Sequence, residues 1–160
     1  MKPLAGIRVI DFSTLLPGPL ATLMLSDAGA EVIKVEKIGG EDMRKSIPKI
    51  NGESFLFAIL NRGKKSIEID LKKKDGYQRI KKLIKSCDVI VEQFRPGVMK
   101  RLGLHWSAVK KINKKVVYCS ISGYGQIGKK SLRAGHDLNY MAESGLLCLS
   151  TSNNGDPTIP

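Results

Sequence analysis

The chain has 160 residues, 42% of them hydrophobic and 6% aromatic, with 27 Lys plus Arg against 15 Asp plus Glu for a formal charge of +12. That composition supplies one sizeable core and excludes a disordered, collagen-like or coiled-coil chain. No apolar run approaches the roughly 18 residues of a membrane span, and the amino terminus lacks a basic region followed by a secretory apolar core. A soluble, cytoplasmic protein without a membrane partner is therefore expected. Cys87, Cys119 and Cys148 stand 32 and 29 residues apart, a spacing that suits neither a metal centre nor a disulfide scaffold.

In chain order, residues 6–11 (GIRVID) read as a short buried strand. The turn-rich STLLPGP follows, then a helix over 20–28 with Leu20, Leu23 and Met24 on one face. Gly29 stops that helix, and residues 31–35 (EVIKV) form a second strand, so the opening is a parallel strand–helix–strand crossover. Residues 37–53 read mainly as loop, and 54–60 (SFLFAIL) are apolar but ambiguous between helix and strand. Alternation makes 66–71 (SIEIDL) a strand. Asp75 is expected to cap a helix whose Tyr77, Ile80, Leu83 and Ile84 form the buried stripe, with Lys81, Lys82 and Lys85 facing water.

Further on, 87–91 reads as a strand, 106–113 as a helix and 116–121 as a strand. From Leu138 to Leu149 apolar residues recur at helical spacing before the loop STSNNGDPTIP. The repeated alternation predicts an open α/β sheet with flanking helices. Such a sheet needs layers on both faces, so the fold is expected to be incomplete at the C-terminus. Residues 1–160 are accordingly read as the amino-terminal portion of a larger fold.

Charge is concentrated in the middle. Residues 61–130 carry nineteen basic and five acidic side chains, whereas the first sixty residues are balanced. Such a field suits nucleic acid, an acidic surface or a multiply charged small ligand, and charge alone does not choose among them. No zinc finger, RNP sequence or aromatic stacking platform is present, so nucleic acid is not the expected partner.

Several loops can carry chemistry. Pro17-Gly18-Pro19 follows the first strand, where α/β ligands commonly bind, but lacks both the GxGxxG and the GxxxxGK[ST] pattern. Arg62 and Lys64, in NRGKK, can engage phosphate oxygens; Arg95, in EQFRPGV, can do the same, with Phe94 beside it for an adenine ring or for the core. In SGYGQ…RAGHD, a flexible turn and a helix start place His136 near a strand end, with Asp137 able to cap that helix or orient a neighbour.

The ordered segments LAGIRVIDFS, PGPLAT, LSDAGAEVIKVE, NRGKKSIEIDL, DVIVEQFRPGVMKRLGL, SGYGQIG and RAGHDLNYMAESGLL resemble the family III CoA-transferase superfamily (CaiB/BaiF type) over essentially the whole chain. RAGHD is most similar to the alpha-methylacyl-CoA racemase branch. The resemblance implies a Rossmann-like, mostly parallel sheet, an acyl-CoA substrate, an interlocked homo-oligomer when complete, and neither metal nor separate cofactor, because CoA is part of the substrate. It places Lys37, Arg62, Lys64, Phe94 and Arg95 near CoA, and His136 with Asp137 at the reacting centre. Racemisation would need His136 to exchange the alpha proton with a second group opposite it. Racemase relatives carry the opposing aspartate about 30 residues beyond the histidine, and Asp156, 20 residues on, does not match it. The alternatives are a family III CoA-transferase, in which a downstream aspartate accepts the acyl group, and a non-catalytic CoA-binding or oligomerisation fragment.

Overall fold

A computed structural model describes residues 2–158. The chain divides into two compact units, Met1–Ile121 and Ser122–Pro160.

The first unit is built on a five-stranded, wholly parallel sheet in the order β5-β2-β1-β6-β7. Its strands are β1 (Arg8–Asp11), β2 (Glu31–Glu36), β5 (Lys65–Glu68), β6 (Val89–Glu92) and β7 (Val117–Ser120). The expected α/β class with a Rossmann-like sheet and flanking helices is the architecture observed. Strand edges shift by one to three residues. The strand expected over 66–71 ends at Glu68, because Ile69 turns into the core while its N–H still reaches the Glu36 carbonyl at 2.9 Å.

Side chains alternate across the sheet, so each strand feeds two layers. On one face Ile10, Val35 and Ile90 meet α3 (Lys74–Lys85), α4 (Val98–Arg101) and α5 (Trp106–Ile112) through Ile80, Ile84, Met99 and Val109. The α3 stripe is as expected, with Ile80 and Ile84 fully buried. Asp75, however, lies inside the first turn and Lys73 occupies the cap position. Helix α4 is a single turn launched by Gly97 at φ +91°, a conformation that a β-carbon disfavours and that gives no periodic signal.

On the other face Val9, Val32 and Val91 meet Leu25 of α1 (Pro17–Asp27). Helix α1 begins three residues earlier than expected, because prolines in a first turn forfeit no hydrogen bond. Its buried side is also different: Gly18, Pro19, Thr22 and Leu23 face inward, while Leu20 is 39% and Met24 62% exposed. Between β2 and β5 the expected loop holds a 3₁₀ turn, Asp42–Lys45, and a two-stranded hairpin, β3 (Lys49–Ile50) with β4 (Glu53–Ser54). The ambiguous apolar run becomes helix α2 (Phe55–Asn61), started by the Ser54 hydroxyl accepting the Phe57 N–H at 3.3 Å.

The second unit is small. Helix α6 spans Asp137–Glu143, and a 3₁₀ turn follows at Leu146–Leu149, so the expected long helical stretch is split at Gly145, φ +79°. Tyr124 and Tyr140 pack edge to face at 5.2 Å, and Glu143 collects Lys130, Arg133 and the Tyr124 hydroxyl. No described residue from 122 onward is fully buried. Among the described residues no helix is long and apolar enough to cross a membrane.

Candidate functional site

Ligands of open α/β sheets bind beyond the C-terminal strand ends. Here those ends carry Asp11, Lys34, Glu36 and Glu92, all buried. Asp11 and Lys34 are paired in register across β1 and β2, and alternation puts both on the face covered by α1.

Asp11 is the hub of a buried polar cluster. Its Oδ1 accepts the Ser13 N–H at 2.8 Å and also the Ser13 hydroxyl; its Oδ2 accepts from Thr22 at 2.5 Å and from Lys64 Nζ at 3.3 Å. Lys64 Nζ also donates to the Pro19 carbonyl (2.9 Å), Thr22 Oγ1 (2.8 Å) and Asn61 Oδ1 (3.0 Å). Burial pushes the Lys64 ammonium below its usual range, and the Asp11 charge opposes that shift. Lys34 Nζ donates to the Ser13 carbonyl at 2.9 Å and lies 3.1 Å from Glu41 Oε2. Neither Glu41 oxygen has a donor in hydrogen-bonding geometry, and burial raises this carboxyl while Lys34 pulls the other way.

Glu36 forms the neighbouring node. Burial alone would raise its carboxyl, but two Arg44 bonds (2.7 and 2.6 Å), the Ser66 hydroxyl and the Glu41 N–H hold it at about 2. The Asp11 and Lys34 contacts serve one loop end. Residues 13–17 are braced from below by Asp11 and Lys34, and α1 is tied to the end of β6 by Gln93 Oε1 accepting the Gly18 N–H at 2.7 Å. A β-carbon on Gly18 would stand 2.2 Å from Ser13 Cβ, so only glycine fits. Leu15 sits at φ +61°, an uncommon conformation for a residue with a side chain, and is half exposed above the braced loop. The result is a preorganised strand-end rim.

The residues singled out from sequence fall in three places. Lys37 directly follows β2 and Arg95 lies three residues beyond the end of β6, and both are exposed; Lys37 pairs with Asp42 at 2.8 Å, and Arg95 has no ion pair among the described residues. Phe94, beside Arg95, is half-buried against the core of the α3 layer. Arg62 ends α2 and turns to Asp27 at the far end of α1, 2.5 Å away, where it also borders an open cleft lined by Ile50, Phe55 and Ile59. Lys64 lies in the interior as the brace described above, 1% exposed. His136 and Asp137 belong to the second unit and are exposed, His136 at the cap of α6 with its N–H on Asn139 Oδ1 (2.9 Å) and Asp137 in the first turn.

Asp11, Thr22, Lys34, Glu36, Glu41 and Gln93 escaped the sequence reading. A signal was present: EVIKVE places a lysine inside a strand buried on both faces, where an ammonium needs a partner. Among the described residues no His, Cys, Asp and Glu cluster has the makings of a metal site. The arrangement is a strand-end loop held by buried ion pairs, with Lys37 and Arg95 exposed beside it.

The fold is a parallel, Rossmann-like α/β scaffold with a braced loop at its strand ends. Residues 4–160 match the family model for CoA-transferase family III, and the chain belongs to that family. It is 46% identical, over its whole length, to mouse succinyl-CoA:glutarate CoA-transferase, and 38% identical over 98% of its length to acetyl-CoA:oxalate CoA-transferase of Acetobacter aceti. It superposes on a crystal structure of a CAIB/BAIF family protein from Brucella suis with a TM-score of 0.94, at 34% identity over 99% of the chain. The chain spans 37%, 40% and 43% of the length of these three proteins. The matches overturn the racemase and isomerase expectation. That reading leaned on the short RAGHD segment, whereas likeness along the whole chain runs to transferases; a histidine before a helix does not by itself choose proton transfer over acyl transfer.

Proposed function

We propose that the chain is the CoA-recognising portion of a family III acyl-CoA transferase, which moves CoA from an acyl-CoA donor to a second carboxylic acid. The observation that carries this is full-chain likeness to the mouse and Acetobacter enzymes, both named for CoA transfer from an acyl-CoA to a short dicarboxylic acid. The strand-end rim supports it. Lys37 and Arg95 would take CoA phosphates, Phe94 would flank the adenine, Arg62 would act from the margin, and Lys64 would hold the loop without touching ligand. Fixing the distant CoA moiety positions the thioester for attack. His136 and Asp137 of the second unit are the candidates for the reacting centre, with donors to the developing oxyanion as the catalytic requirement.

The same reading makes residues 1–160 one part of a larger subunit that assembles as an interlocked homo-oligomer. Its support is the second unit, which buries no described residue fully, and the exposed Leu16, Leu20, Met24 and Leu56 of the first. Three free thiols, two of them exposed, favour a reducing cytoplasmic location.

Incubating the chain with succinyl-CoA and carbon-13 glutarate, with mass detection of labelled glutaryl-CoA, tests this. Labelled product establishes transfer. CoA binding by calorimetry without product supports a recognition portion that needs the rest of the subunit. Neither binding nor product would sink the proposal.

A further inference from the structure

The solvent side of the α3 and α5 layer holds a concentration of charge that the CoA site does not use. Lys72, Lys73 and Lys74 open α3; Lys81, Lys82 and Lys85 continue it; Lys110 and Lys111 end α5, and Lys114 and Lys115 follow. Nine of these ten are exposed and Lys81 is half-buried. Lys74, Lys81 and Lys85 share one narrow stripe at 100° per residue. Asn113 welds the two helix ends together, its amide donating to the carbonyls of Ile84 (2.9 Å) and Cys87 (2.7 Å), which sets the α3 lysines beside those of α5.

None of these lysines forms an ion pair among the described residues, whereas Arg8, Lys34, Lys37, Arg44, Arg62, Lys64 and Lys65 of the same unit all do. Helix stability explains only part of the pattern. Lysines in the last turns of α3 and α5 complement the helix dipole, but Lys72, Lys73 and Lys74 sit at the positive end of α3, where added cations are unfavourable. Charge placed against the dipole and left unpaired calls for an external counter-charge.

We infer that this face, ten lysines on α3, α5 and their flanking turns, docks the chain on an anionic lipid bilayer surface. Composition chooses this occupant. Ordered protein interfaces are depleted in lysine, and recognition of fixed phosphate arrays draws on the arginine fork; here the only arginine on α3 and α5 is Arg79. A mobile, strongly hydrated point charge suits a fluid field of headgroups. Trp106 stands at the margin, 43% exposed with Lys110 Nζ 5.1 Å from its ring centre, an aromatic placed where a headgroup boundary would lie. That no described helix is long and apolar enough to cross a membrane does not bear on such peripheral contact.

The test is sedimentation of the full chain, verified as folded by circular dichroism, with phosphatidylcholine vesicles containing or lacking 30% phosphatidylserine. Binding to the anionic vesicles alone, weakening with salt, is expected. The K74Q/K81Q/K85Q variant should lose on the order of a hundredfold in partitioning, while K2Q/K45Q/K49Q, which removes the same charge elsewhere, keeps most of it. Equal losses in both variants would reduce the effect to net charge and overturn the inference. So would absence of binding, or displacement from vesicles by a 20-nucleotide RNA at equal phosphate concentration, which would assign the face to nucleic acid.

Discussion

The two helical layers that cover the sheet are built on opposite plans. The α3–α4–α5 layer is apolar inside and charged outside: Ile80, Ile84, Leu104 and Val109 are fully buried, and lysines fill the exterior. The α1–α2 layer carries polar groups inside, where Thr22, Asn61 and Lys64 surround Asp11, and leaves Leu20, Met24, Leu56 and Ile59 exposed. Both layers lie on the same five strands, so the difference arises from what each must do. One layer seals the core. The other holds a strand-end loop in a fixed shape and leaves apolar side chains exposed.

That contrast predicts unequal responses to substitution. The largest belongs to Asp11→Ala, which leaves the Lys64 ammonium in the interior without its counter-charge; a loss of roughly 3–5 kcal/mol in urea unfolding is expected, as for other broken buried pairs. A loss below about 1 kcal/mol would show that the cluster is not holding the layer. Ile80→Ala should cost roughly 2–5 kcal/mol in urea unfolding through the cavity it leaves.

Acid should act through the polar layer as well. Glu36 is held at about 2 in the fold, below the value near 4.3 usual for an unfolded glutamate. Its contribution is complete above the unfolded value and fades as pH falls towards 2. The wild-type urea midpoint should therefore drop between pH 5 and pH 3, and Glu36→Gln should flatten that slope; an unaltered slope would place acid sensitivity elsewhere. Arg95→Gln should weaken CoA binding about tenfold with no change in melting temperature, as expected for one phosphate contact. Met24→Ser should fall within about 0.5 kcal/mol of wild type, since its side chain is already in water.

The sealing layer was legible in the sequence, and the polar layer was not. Tyr77, Ile80, Leu83 and Ile84 announce the buried stripe of α3 by period alone, and the parallel α/β class follows from the strand–helix alternation. In α1 the same logic chose Leu20, Leu23 and Met24, of which only Leu23 is buried, because Thr22 is drawn inward by Asp11, a residue eleven positions earlier whose partner no periodicity can name. Lys64 looked like a phosphate-facing cation and lies inside the fold for the same reason. The positions of Lys37 and Arg95 just beyond β2 and β6 follow from the strand pattern. The RAGHD segment misdirected the chemistry: its helix start is real, but reaction type resides in groups that a local motif does not specify.

The most direct test of CoA recognition at the rim is a titration of the nitrogen-15-labelled chain with CoA, followed by amide chemical shifts. Perturbations confined to residues 13–18, Lys37 and residues 93–97, with the α3 and α5 lysines unmoved, are predicted. Shifts concentrated on those lysines, or none at any concentration, would contradict the placement of the CoA site at the strand ends.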